Sequence, residues 1–474
     1  MSKEAINAFV NRPLKPLIFN QNISLGCDPE FFFAKEGRVI GSEKVLPERG
    51  RQTSPADTMC SYHPYNCDST YLSKFIIDGV QAELNPRPAA CRALLGNEIK
   101  NCFRELRDLM VEKGVAADFS QCVEVDKAEM DSLSDGSKVF GCAPSTNCYT
   151  AAESKITVDP KVYRGRSAGG HIHIGNQFIE YLINPDLREQ HRSAYEYDKS
   201  NSNMWKQATI MDSVLKTPDI IVPVLDIVLG NTCVLIDRSP SNKERRKVYG
   251  RAGEYRIKDY GLEYRTLSNF WLRSYQLMSM IMGITRLTVH LVEQSTPEND
   301  YVKALFEAVK RENIVKAINE NDFDLAWQNF LAIENILYEA QGESNFGNYP
   351  LSATYANVFR YFVNKGVDHW FEKDVINHWV TSPEGHGNGW ESFLSGRVSK
   401  ELMESMIKTP FNIKAPVKPS RWDDYAAYDK YKVEIKNYKK LYDEVYNLTE
   451  CVVPEVKDPN TVPLLNVVEE PVIA

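Results

Sequence analysis

The sequence has no run of apolar residues long enough to cross a bilayer. Its two most apolar stretches, 220–229 and 278–292, are interrupted by Asp226 and Arg286. The opening residues, MSKEAINAFVNRPLK, contain no apolar h-region, so no secretory leader is expected. Ten cysteines fall at irregular spacings without a C-x-x-C pair, which argues against a disulfide framework and for reduced thiols in a cytoplasmic protein. Positive charge is the minority, with 56 Lys and Arg against 64 Asp and Glu. The resulting net charge of −8 makes a general nucleic-acid or anionic-membrane surface an unsuitable reading, while leaving room for a local basic pocket. No internal repeat is present. What remains is 474 residues, 43% hydrophobic and 25% charged, the mixture of a globular chain of two to four domains.

Residues 22–34 (NISLGCDPEFFFA) alternate and predict a strand, and a second is predicted over 74–85 (KFIIDGVQAELN), ended by Pro86 and Pro88. Between them, 41–70 is a long excursion rich in Pro, Gly, Ser and Asp. Helical spacing covers 89–113, 187–215 and 271 to about 345, and 219–229 fits either a helix or a buried strand. A Gly- and Ser-rich loop at 134–150 precedes a third strand, GHIHIG at 170–175. The segment 245–270 opens as a glycine-punctuated basic loop and closes in a fourth strand. A catalytic domain over 1–295, a mainly helical region over 296–415, and a charged helix (424–447) with an extended tail over 416–474 are expected.

Four of these strands share a pattern. Residues two apart in a strand lie on one face, roughly 6.5–7 Å from each other. Asp28 and Glu30 form such a pair, with Phe31 and Phe33 opposite. Gln81, Glu83 and Asn85 share a face, as do His171 and His173, and Glu263 and Arg265. Any one pair is more simply surface decoration, since half-solvated strands alternate for ordinary reasons. Four together, rich in acids, imidazoles and guanidinium, suggest converging strands. Crowded carboxylates repel unless cations sit among them, and oxygen donors with a minority of histidine suit Mg²⁺ or Mn²⁺. Arg265 and the loop arginines Arg245, Arg246, Arg251 and Arg256 add opposite charge, and Gly250 and Gly253 let the backbone approach a phosphate. That combination is what transfer of a phosphoryl group from a nucleoside triphosphate requires.

The stretches GCDPEFFF, AELNPRP, GGHIHIG and YGxAGEYR…YGLEYRTLSNFW resemble, in order and approximate spacing, the phage-type carboxylate–amine ligases (type 2 amidoligases) over roughly 22–275. That family lies within the glutamine synthetase and glutamate–cysteine ligase superfamily. The resemblance implies an α+β, glutamine-synthetase-like curved and largely antiparallel sheet flanked by helices, with a mostly helical C-terminal region. It implies an ATP- and Mg²⁺-dependent (or Mn²⁺-dependent), ADP-forming ligase that joins a carboxylate substrate to an amine through an acyl phosphate. Glu30, Glu83, His171 and Glu263 would be metal ligands, with Asp28 in a position where many relatives have Glu. His173, Asn85, Arg251 and Arg265 would face the nucleotide, and Arg265, Arg256 and Arg251 the transferring phosphoryl group. Host cytoplasm is the setting implied for a phage-encoded member.

Simpler readings stand beside these. His173 could equally be a core imidazole, Glu83 could merely close a strand, and Arg245 and Arg246 are expected as a solvated pair. Cys60, His63 and Cys67 offer three zinc-type donors without a fourth. The aromatic stretch 369–393, with His369, His378 and His386, could line an acceptor pocket, though buried packing is the better expectation. The helix 424–447 could support a homo-oligomer, a solvated face being the ordinary alternative. A metal-dependent amidohydrolase, a phosphagen-kinase-like transferase and a virion-associated protein with an inactive ligase fold are the competing functions.

Overall fold

The computed structural model describes residues 23–46, 75–89, 92–140, 145–154, 156, 158–176, 213–237, 239–258, 260–296, 300–341 and 372–382. The Cys60/His63/Cys67 group, His369, His386, the predicted helix 424–447 and the tail lie outside them, as does most of the predicted helix 187–215.

The described strands are β1 (Ile23–Cys27), β2 (Glu30–Lys35), β3 (Arg38–Ile40), β4 (Phe75–Asp78), β5 (Gln81–Leu84), β6 (Ala116–Asp118), β7 (Cys122–Glu124), β8 (Thr146–Asn147), β9 (Ala152–Glu153), β10 (Gly165–Ser167), β11 (Ile172–Asn176), β12 (Glu254–Lys258) and β13 (Gly261–Tyr264). They form antiparallel sheets: one of order β1-β11-β13-β12-β8-β9, a second of order β3-β2-β5-β4 with β6 on β2, and a small β7–β10 pair.

Two expectations are corrected here. The strand predicted over 22–34 is two strands, broken at Asp28-Pro29, because proline has no N–H to give a ladder. The strand predicted over 74–85 is a hairpin, β4 and β5, turning through Gly79 and Val80 with Gly79 at φ +67°. The four strands therefore do not belong to one hydrogen-bond ladder. The two main sheets nevertheless meet edge to edge: Leu25 and Ala89 exchange backbone hydrogen bonds of 2.8 Å each, Leu84 N donates to Pro29 O at 2.9 Å, and Glu30 N donates to Gly169 O at 2.9 Å.

The helices are α1 (Arg92–Lys113), α2 (Lys127–Ser132), α3 (Asp135–Lys138), α4, α5 (Ser241–Val248), α6 (Tyr275–Glu293), α7 (Tyr301–Ala308), α8 (Arg311–Glu320), α9 (Phe323–Gln341) and α10 (Val375–Thr381). Helix α4 runs from Pro218–Leu225 through a π-helical turn, Asp226–Gly230, into Asn231–Val234. Every residue from Ile221 to Val234 is buried, as expected of a helix apolar on all sides, so the helical alternative for 219–229 holds. The basic segment predicted as a loop begins as α5, and the segment 134–150 contains α3 and β8.

The apolar faces of the two main sheets pack on these helices. Leu25, Phe31, Ala82, Ile172, Ile174, Leu262 and Tyr264 join Leu95, Phe103, Val224, Val228, Met278 and Ile281 in one core. Tyr301, Ile314 and Phe330 from α7, α8 and α9 belong to the same core. In α10, Trp379 is fully buried, stacks on Phe103 with ring centroids 5.1 Å apart and donates to Leu272 O at 2.7 Å. His378 Nε2 accepts from Tyr275 N at 3.0 Å, a packing role. Among the described residues no helix is long and apolar enough to cross a membrane.

Candidate metal and phosphate site

Helices cover one side of the sheets, and the chemistry gathers on the other. The ladder places Gly26 opposite His173, His173 opposite Glu263, and Glu263 opposite Arg256, so these side chains share a face. In the second sheet Glu30 pairs with Glu83, and Asp78 with Gln81.

Two acidic sets result. In the first, one ligand atom each from Asp28, His173 and Glu263 lies within 4.8 Å of the others. His173 Nε2 is 3.1 Å from Asp28 Oδ2, and its Nδ1 is 2.5 Å from the Tyr260 hydroxyl, whose ring stacks on the imidazole. His171, 1% exposed, approaches Asp28 at 3.2 Å and Glu263 at 3.7 Å through Nδ1. Its Nε2 has no hydrogen-bond partner among the described residues. Glu263 meets three cations: Arg265 Nη1 at 2.6 Å, Lys258 Nζ at 3.1 Å and Arg256 Nη1 at 3.5 Å.

In the second set, Glu30, Asp78 and Glu83 likewise offer ligand atoms within 4.8 Å of one another. Glu30 is 1% exposed and accepts at Oε2 from Gly169 N at 2.7 Å, with the Tyr249 hydroxyl 2.9 Å away.

The electrostatics of the two sets differ. Burial pushes Glu30 up to about 8, with Asp78 adding repulsion. Burial, then Asp28, Asp78 and Glu30, hold Glu83 well above the usual carboxylate range. In the first set, burial works to raise Asp28, but the charges of His173 and His171 hold it well below its ordinary value. Burial and Asp28 likewise push Glu263 upward, and Arg265 with the two imidazoles overrides them to hold it at about 2. Burial drives His171 down to about 4, helped by Arg265. His173 moves up, because Asp28 outweighs its burial.

The second set fits a hard divalent cation: three carboxylates offer oxygens within 4.8 Å of one another, and burial and mutual repulsion hold Glu30 and Glu83 above the usual carboxylate range. The first set mixes oxygen with imidazole nitrogen, a donor set compatible with Mg²⁺ or Mn²⁺.

The predicted residues distribute as follows. Asp28, Glu30, Glu83, His171, His173, Glu263, Arg256 and Arg265 converge. His173 belongs to the first acidic set, and His171 lies beside it against Asp28 and Glu263. Asn85 follows β5, half-buried. The Arg251 guanidinium donates to Lys247 O at 2.7 Å and lies 3.7 Å from Glu254. Arg245 and Arg246 are not a solvated pair. As part of α5 rather than a loop, Arg245 is fully buried over the Tyr249 ring and bonded to Thr266 O, and Arg246 is 6% exposed. Sequence reasoning missed Asp78, Tyr249 and Lys258. The Asp-Gly step flanked by apolar residues was the available signal for Asp78, since it marks a hairpin end beside Glu83.

Residues 211–337 match the family model described as Phage phiEco32-like COOH.NH2 ligase-type 2. No curated protein and no solved structure matches the chain. The matched segment contains Glu263, Arg265, Arg256 and Lys258, and it reaches past the resemblance at 22–275 into α7, α8 and α9.

Proposed function

From the match of residues 211–337 to that ligase family, which supports a phage-type carboxylate–amine ligase, we propose an ATP- and Mg²⁺-dependent enzyme of glutamine-synthetase-like fold. It would form an amide through an acyl phosphate and release ADP. The observation that carries the reading is the pair of adjacent acidic sets, the first held against Arg265, on the face of the sheets away from the helices.

Glu30, Asp78 and Glu83 would hold one divalent cation, and Asp28, His173 and Glu263 with His171 a second. Such ions would supply positive charge to the phosphate oxygens of a bound nucleotide. The remaining work falls to the chain. Arg265 is 1% exposed and fixed by Glu263, so its guanidinium is preorganised to stabilise charge on the phosphoryl group as the substrate carboxylate attacks it. Arg256 and Lys258 lie on the same side and would bind phosphate oxygens. Arg251, which lies 3.7 Å from Glu254, would reach the nucleotide from the loop before β12. The amine then displaces phosphate from the acyl phosphate, and positioning and exclusion of water supply most of the acceleration.

The test is ATP with Mg²⁺, a panel of carboxylates and hydroxylamine, which captures an acyl phosphate as a hydroxamate. Stoichiometric ADP and hydroxamate are expected. AMP and pyrophosphate, or ADP release that no carboxylate stimulates, would overturn the mechanism.

A further inference from the structure

A cavity of about 250 Å³ opens on the helical side of the β12–β13 hairpin, away from the acidic sets. Its wall combines apolar Pro223, Ile227, Val309 and Ile314 with Phe306, which is 42% exposed although large and aromatic. Two opposite charges also line it, Arg311 and Asp219. Among the described residues neither forms an ion pair or a hydrogen bond, although both face the same small space. Arg311 is held in place by lying over the Tyr149 ring, 5.5 Å from its centroid. It also begins α8, whose N-cap Lys310 makes no side-chain cap hydrogen bond, so the first-turn amides add positive potential there.

The cavity touches the reaction face through one side chain. The Tyr149 hydroxyl donates to Asp226 Oδ2 at 2.8 Å. Asp226 is fully buried in the π-helical turn and also accepts from Tyr264 at 2.6 Å and Thr266 at 3.4 Å. Thr266 in turn lies 3.1 Å from Arg251 O. Tyr264 and Thr266 flank Arg265, and Tyr264 follows Glu263 directly, so the buried carboxylate holds the residues on either side of Arg265 from behind.

We propose that this cavity binds a small zwitterion, an α-amino acid with an apolar side chain, as an effector separate from the reacting substrates. The carboxylate would meet Arg311 and the end of α8, the ammonium Asp219, and the side chain the apolar wall. The size suits it: 250 Å³ is smaller than the roughly 300–1,000 Å³ of sites for drug-sized ligands and corresponds to about eight waters. Because Tyr149 joins the wall to Asp226, occupancy alters the support behind Glu263 and Arg265. The site does not depend on the ligase reading.

Isothermal titration of the full chain with L-leucine and L-phenylalanine, in the absence of nucleotide, tests it. 4-Methylpentanoic acid and 3-methylbutylamine serve as probes lacking one charge each. Binding of at least one amino acid is expected, with each single-charge probe at least tenfold weaker, the scale of one lost charged hydrogen bond. Arg311→Ala should abolish the advantage of the zwitterion over the amine, and Asp219→Asn its advantage over the acid. Both residues are exposed, so the variants fold. Hydrogen exchange at 261–267 should slow when the amino acid is bound. Absence of binding by either amino acid, or binding unchanged in both variants, would overturn the proposal. Binding retained in Glu30→Gln would separate this cavity from the reaction site.

Discussion

Replacing Glu30 by Gln should stabilise the metal-free protein, the reverse of what a buried substitution usually does. Gln keeps the oxygen that accepts from Gly169 N, and the Tyr249 hydroxyl stays in reach, while Gln is neutral beside Asp78 and Glu83 without having to take up a proton on folding. The magnitude follows from the shift of Glu30 from 4.5 to about 8. A folded-state value above the unfolded one means that the folded state binds the proton more tightly. Stability is therefore intact below about pH 4.5 and is lost as pH rises towards 8. At pH 7 the interval of about 2.5 units between the unfolded value and the working pH corresponds to roughly 3 kcal/mol. For 474 residues the unfolding entropy is roughly 1 kcal/mol per kelvin, so Tm should rise by about 3 °C. The assay is thermal unfolding of wild type and Glu30→Gln in EDTA at pH 5 and pH 7, repeated with saturating Mg²⁺. The gain should be small at pH 5, about 3 °C at pH 7, and reversed by Mg²⁺, which stabilises the intact carboxylate set more. A difference independent of pH, or equal stabilisation of both proteins by Mg²⁺, would refute the reasoning.

Three further outcomes follow from the same geometry. Arg265→Ala should lower the rate of hydroxamate formation by about 10²-fold or more, since it removes a preorganised donor and releases Glu263, as read in a hydroxylamine assay with ATP and Mg²⁺. Gly170→Ala should destabilise the entry to β11, because a Cβ there would lie 2.3 Å from Ser268 O and 2.5 Å from Trp271 Nε1; loss of soluble expression or a lowered Tm measures this. Trp379→Ala should cost about 3–5 kcal/mol in denaturant unfolding, the usual loss for a fully buried aromatic, here one stacked on Phe103.

The alternation of β1, β2, β5, β11 and β13 was legible in the sequence because a period of two encodes faces directly, and Glu30, Glu83, His173, Glu263 and Arg265 followed from it. What alternation does not encode is pairing. Asp78 escaped notice because β4 and β5 look like one continuous strand until Gly79 is given its positive φ, and only the hairpin returns Asp78 to the side of Glu83. Asp226 was visible only as an interruption of an apolar run, since its meaning depends on Tyr149 and Tyr264, far away in sequence. Arg245 and Arg246 appeared solvated because burial of guanidinium on a short helix is set by tertiary packing, which local charge does not reveal.

The step Asp28-Pro29-Glu30 explains why the two acidic sets adjoin without merging. A continuous strand would present Asp28 and Glu30 to one environment, roughly 6.5–7 Å apart. Instead the chain leaves β1 at Cys27 and enters β2 at Glu30, and the linking residues are pinned: Pro29 O accepts from Leu84 N, and Glu30 N donates to Gly169 O. Asp28 thereby faces His171 and His173, which hold it ionised, while Glu30 is buried beside Asp78, and burial first and Asp78 second favour its protonated form. Two neighbouring carboxylates are driven in opposite directions by the sheets they face. The set beside Asp28 holds countercharge in His173 and Arg265, whereas at the Glu30 set burial and repulsion raise Glu30 and Glu83. Loading of a divalent ion should therefore release protons mainly from Glu30 and Glu83 and couple to the first set through Asp28, whose charge raises Glu83.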